Sequence, residues 1–256
     1  MSKKSNQEAE TKMRSFRLSE EVIKRLNELN EESNENKTDI IERAINRLYQ
    51  TSLAEKVWKF GSADEIDLLL SDFPQESTYE NPNHEGSVVA IGSVAPTITY
   101  ANEGKKLNIH MHEYHTEFDR NLLLVGGPRR NNFTDYFLKE TELVNECSFI
   151  EWKLRFGEEE YEAKTDEENH IQQDYGLILK APNPLKTENV VMIVAGCRAF
   201  GTGGAASLIS NRNTIQTIIE DLGKDNCKAF KILVSVSVRN DIIVKTDIME
   251  IKPIMQ

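Results

Sequence analysis

The sequence predicts a short N-terminal β-α-α segment, then an α/β domain with a mainly parallel sheet flanked by helices and a C-terminal antiparallel hairpin. Three observations predict it. In residues 13–29, MRSFRLSEEVIKRLNEL, the apolar positions first alternate (Phe16, Leu18) and then fall three and four apart (Val22, Ile23, Leu26, Leu29). That is the change of period from strand to helix. Further along, several wholly apolar runs alternate with helical patterns, as in strands buried on both faces. Two β-branched runs about an Arg-Asn-Asp turn then read as a closing hairpin.

The first strand places Arg14, Phe16 and Leu18 on one face and Met13, Ser15 and Arg17 on the other. Ser19 suits an N-cap, with Glu20 and Glu21 in the first turn, where negative charge is favoured. The first helix runs to about Asn30, and Asn34 suits a left-handed stop. Asn36 caps a second helix, with Asp39 three residues on. Ile40, Ile41, Ala44, Ile45 and Leu48 form its apolar stripe. A lone strand leaves both edges unpaired, and fifty residues bury too little core to stand alone. Pairing the strands of two copies across a twofold axis removes both problems. The resulting two-stranded ribbon fits the major groove of DNA.

RSFRLSEEVIKRLNEL and NKTDIIERAINRLY together resemble the ribbon-helix-helix repressors, the Arc, MetJ and CopG-like group, over about residues 12–50. The resemblance implies an intertwined homodimer that regulates transcription by binding a double-stranded DNA operator, with pairs of dimers forming tetramers on adjacent half-sites. It implies that Met13, Ser15 and Arg17 face base edges, and that Asn36, Lys37 and Thr38 clamp a backbone phosphate. Arg17 can hold a guanine in bidentate fashion and Ser15 can donate or accept. Two positions depart from the group's pattern. Asn34 stands where glycine is frequent, and Met13, a poor hydrogen-bonding reader, contacts a thymine methyl or nothing. Residues 1–11, with Lys3 and Lys4, read as a disordered tail. The plainer alternative is a module used for dimerisation alone.

The net charge of the 256 residues is −11. Residues 1–50 hold ten basic and ten acidic side chains, while the remainder holds 21 and 32. Such a chain is no general polyanion binder, so nucleic acid would be met by a local surface. No apolar run reaches the roughly 18 residues of a membrane span. The start, MSKKSNQEAETK, lacks the apolar core of a secretory signal. A cytoplasmic location and no membrane partner are expected. Cys147, Cys197 and Cys227 are scattered without a C-x-x-C pair, which suits buried free thiols rather than a disulfide framework or a zinc site.

Residues 51–256 read as the α/β domain, for sensing or oligomerisation. EIDLLLSDF is a buried strand and PQESTYENPNHEG a polar loop. SVVAIGSVAPTITYA suits a helix bent at Pro96, and KLNIHMHEY a strand. NLLLVGGPRRNN and NVVMIVAGCRAFGTGG each run from an apolar strand into a glycine-rich turn before a helix. In open α/β sheets ligands bind at such carboxyl ends. The two loops, 126–132 and 196–204, offer Gly126, Gly127, Arg129, Asn131, Arg198, Thr202, Gly203 and Gly204 to a small anionic, nucleotide-like ligand. Arg130 would add a further cation. Glycine lets backbone amides approach an anion and arginine adds charge-assisted bonds. Neither loop matches a dinucleotide or P-loop fingerprint, and tight strand-helix packing explains the same glycines.

His110, His112 and His115, with Glu113 and Glu117 near, have the spacing of nickel, zinc or copper ligands. Some ribbon-helix-helix regulators sense nickel through a second domain, but their cysteine and wider histidine spacings are missing here. No catalytic motif appears, and Glu140, Glu142 and Asp174 are merely near the glycine loops in sequence. No catalytic residue and no certain cofactor is assigned. A metal-responsive regulator, or a nucleotide-processing enzyme that uses the N-terminal module only to dimerise, stays open as an alternative.

Overall fold

The computed structural model describes residues 19–70, 83–110, 117–223 and 226–254. The expected first strand, with Met13, Ser15 and Arg17, lies outside the described residues, as do His112 and His115. The chain divides into two compact units, Met1–Tyr49 and Gln50–Gln256.

In the first unit, α1 (Glu20–Ser33) starts at Ser19, whose side chain accepts from the Val22 amide at 3.4 Å. It stops at Asn34 in the left-handed conformation, φ 58°. The short Asx side chain makes this conformation tolerable where most residues avoid it. Asn36 opens α2 (Lys37–Trp58) by accepting from the Asp39 amide at 3.0 Å, and the Asp39 carboxylate accepts in turn from the Asn36 side chain. Arg43 reaches back to Glu35 at 2.6 Å across the turn. Both helix starts are therefore specified within four residues of sequence.

The second unit is built from β1 (Glu65–Leu70), α3 (Asn83–Ala101), β2 (Lys106–His110), β3 (Asn121–Val125), α4 (Asn132–Glu140), β4 (Cys147–Ile150), β5 (Lys153–Phe156), β6 (Glu159–Glu162), β7 (Lys164–Thr165), β8 (Ile171–Asn183), β9 (Lys186–Gly196), α5 (Ala199–Ile209), α6 (Arg212–Leu222), β10 (Phe230–Arg239) and β11 (Ile242–Pro253). Among the described residues the main sheet runs β11-β10-β8-β9-β3-β1-β2, with β7 on β8. The sheet is mixed rather than mainly parallel. β2, β1, β3 and β9 are mutually parallel, while β9, β8, β10 and β11 are antiparallel neighbours. The reason is the turn Pro184-Leu185. A two-residue connection can only fold β8 back against β9, since a parallel return needs a crossover of a dozen or more residues. The closing hairpin is as expected. Asn240 and Asp241 both have positive φ, 51° and 58°, the geometry that matches a two-residue turn to strand twist.

Both faces of the central strands β1, β3, β8 and β9 are buried. On one, Leu123, Val125, Ile178, Met192 and Val194 join residues of α3, α5, α6 and the end of α2, including the fully buried Trp58. On the other, Leu122, Leu124, Leu177, Leu179 and Ile193 lie under α4 and a small antiparallel sheet, β4-β5-β6. ECSFIEWKLRF thus forms two strands, with the turn at Glu151 (φ 57°) and Trp152. All three cysteines are free and buried, and burial pushes the Cys147 and Cys197 thiols up to about 12.

Five buried asparagines close the gaps where strands meet connections. Asn121 accepts from the amides of Gly61 (3.0 Å) and Val190 (2.9 Å) and donates to the carbonyls of Ala63 and Glu65. Asn131 donates to Leu69 and Val125 carbonyls and caps α4 through the amides of Phe133 and Thr134. Asn102, Asn183 and Asn189 make similar bridges, to Phe60 and Trp58, to Phe118 and Arg120, and to Ala63 and Asp119. Removing one such amide strands several buried backbone groups at once. Asn121→Ala should therefore lower the free energy of unfolding by about 1–3 kcal/mol or more, read from the urea midpoint at unchanged slope. A shift within experimental error would deny the amide this role.

Candidate functional site

In the first unit, Asn36, Lys37 and Thr38 all lie exposed at the start of α2. First-turn amides have no carbonyl partner within their own helix, so this end favours an anion. Lys37 adds a cation, and Asp39, held by Asn36, subtracts one. The apolar stripe behind this surface is open. Val22, Ile23 and Leu29 are 45% exposed, Ile45 55% and Leu48 71%, while Ile40 is buried. No residue of α1 is buried.

In the second unit, the two glycine-rich segments meet at the carboxyl ends of the parallel strands β3 and β9. The Gly126 amide donates to the Val194 carbonyl at 2.8 Å, and a Cβ on Gly127 would stand 3.2 Å from the Gly196 carbonyl oxygen. Arg129 and Arg198 come together on one aromatic ring. Their guanidinium carbons lie 4.3 and 3.8 Å from the centre of Trp152. Asn131 is nearby, but its four hydrogen bonds are all made inside the fold.

Thr202, Gly203 and Gly204 are not in a loop. The helix begins at Ala199, and all three are buried within it. Glycine here serves contact with the sheet. A Cβ on Gly201 would collide with the Tyr175 carbonyl and one on Gly204 with the Val236 side chain. The start of α5 already has an anion, which is the protein's own. The Asp174 carboxylate accepts from the amides of Tyr175 (2.8 Å), Arg198 (3.2 Å) and Gly201 (2.5 Å). Two amides at the helix start are thus engaged within the protein, and the Arg129 and Arg198 side chains come together beside them.

A third polar group lies on β1 and β2. Asp67, 1% exposed, takes the His110 ring Nε2 at 3.1 Å and the Asn108 amide at 3.1 Å, with an Arg120 guanidinium nitrogen at 3.8 Å. His110 is thus engaged by a carboxylate. Among the described residues no group of three or more His, Cys, Asp or Glu side chains could hold a metal ion. Of the residues that matter here, Trp152 and the capping role of Asp174 escape sequence reasoning. The one available signal is that Trp152 is one of two tryptophans in the chain.

Burial pushes the Asp174 carboxyl up to about 6, against the pull of its three amides and the Arg198 guanidinium. An unfolded aspartate titrates near 3.9, so the folded state holds this proton more tightly and unfolding releases it. The contribution to stability is full below about pH 4 and is lost as pH rises through about 6. Asp174→Asn removes the titration. The native-minus-variant difference in unfolding free energy should fall between about pH 4 and 6. A difference that rises over that range contradicts the dominance of burial.

No curated protein and no solved structure matches the chain. One family does match, over residues 15–52, and its description is ribbon-helix-helix protein, copG family. The match takes in the first capped helix, its left-handed stop and the second cap, and it marks the N-terminal segment as a ribbon-helix-helix domain of the copG family.

Proposed function

We propose that the protein is a homodimeric, sequence-specific transcriptional regulator whose N-terminal ribbon enters the major groove of operator DNA. The observation that carries this reading is the family match over residues 15–52, since ribbon-helix-helix proteins are dimeric and bind DNA. The open apolar stripe on α1 and α2 supports the second copy. Five apolar side chains at 45–71% exposure are the face a partner would bury.

In this reading Arg17 and Ser15 take base edges and Met13 an apolar base contact. Asn36, Lys37 and Thr38 hold a phosphate at the α2 start, fixing the register of the ribbon without reading sequence. The second unit is a sensing or associating domain with no catalytic role assigned. A DNA partner places the activity in the cytoplasm. Among the described residues no helix is long and apolar enough to cross a membrane.

The test is fluorescence anisotropy with the DNA upstream of the protein's own gene against a scrambled duplex, at several salt concentrations. Arg17→Ala should cost about 1–3 kcal/mol of the preference. Lys37→Ala should weaken both duplexes alike and lower the salt slope by about 1. Equal binding of the native chain to both duplexes would reduce residues 1–50 to a dimerisation device.

A further inference from the structure

We infer that Arg129, Arg198 and Trp152 form a receptor for the linked phosphates of a small diphosphate-bearing molecule, at the carboxyl ends of β3 and β9. Three separate connections build it: Arg129 from β3–α4, Trp152 from the β4–β5 turn and Arg198 from β9–α5. Both guanidinium carbons stand within 4.3 Å of one ring centre. Two like charges thereby share one ring, and the ring's electron-rich face offsets part of the cost of holding them there.

The protein is acidic overall, with net charge −11. Among the described residues, Arg129 and Arg198 have no carboxylate within ion-pair distance of their side chains. Arg129 is exposed, and Arg198 and Trp152 are half-buried, so the forks are reachable. The neighbouring amides at the start of α5 are taken by Asp174. Recognition is therefore by guanidinium forks rather than by a helix end. Each fork can hold one phosphate in bidentate fashion, so two linked phosphates engage both where a single one engages one.

The experiment is calorimetric titration of the full chain with inorganic pyrophosphate, orthophosphate and adenosine diphosphate. Pyrophosphate should bind saturably and more tightly than orthophosphate. Arg129→Gln and Arg198→Gln should each weaken it roughly tenfold or more. Arg212→Gln, an equal charge change at the start of α6, should leave it unaltered. Adenosine diphosphate binding as tightly as pyrophosphate means the diphosphate alone is read, and tighter binding assigns the site to nucleotides. Should the glutamine variants lose their native circular dichroism, Arg129→Lys and Arg198→Lys keep the charge but not the fork. These should still weaken pyrophosphate several-fold. The proposal is overturned by absence of saturable pyrophosphate binding, or by undiminished binding in the arginine variants. An equal loss in Arg212→Gln, meaning an adventitious ion only, also overturns it.

Discussion

Buried backbone amides and carbonyls must find partners inside the protein, and in the second unit asparagine side chains supply them where the sheet hands over to its connections. Asn121 and Asn189 secure the entry to β1, β3 and β9, and Asn131 the exit from β1 and β3 into α4. An amide suits this work because it donates and accepts at once without a charge to desolvate. Asp174 does the corresponding task at the start of α5, where a charge is tolerated by three amides and a helix dipole. With these bonds in place the two loops after β3 and β9 are held in contact. Arg129 and Arg198 consequently meet at Trp152 rather than pointing separately into solvent.

The first unit obeys the opposite logic. Its caps are fully local, yet α1 buries none of its residues. Capping decides where helices begin and end, while stable helices of this length need an apolar face covered. A second copy covers such a face and also completes the ribbon, so association and DNA recognition become one event in the proposed reading. The charge balance agrees, because the basic residues of the first fifty are not outnumbered as they are in the remainder.

What sequence revealed follows from how local each signal is. Ser19, Asn34 and Asn36 act within four residues, so both helices of the first unit were legible. The apolar runs of β1, β3 and β9 were legible because strands buried on both faces carry no polar alternation. Strand direction after β9 was not. It depends on the Pro184-Leu185 turn, and two prolines around Asn183 look like the end of an element rather than a hairpin. The β4–β5 turn was hidden for a related reason. Glu151 takes a positive φ, and glutamate gives no sign of it. In 196–204 the glycines suggested a loop, yet Gly201 and Gly204 are helical because only a bare backbone can lie so close to Tyr175 and Val236. Tertiary packing overrode the unfavourable propensity. Trp152 could not be placed beside two arginines from loops 23 and 46 residues away without the fold itself.

In the proposed reading two chains pair through residues 12–50 to make one DNA-reading surface. Sedimentation equilibrium of the full chain with a short duplex from upstream of its own gene tests this most directly. Two chains, or a multiple of two, are expected on each duplex, with the free protein dimeric at micromolar concentration. A complex of one chain per duplex, or a free monomer that binds DNA without associating, would contradict it.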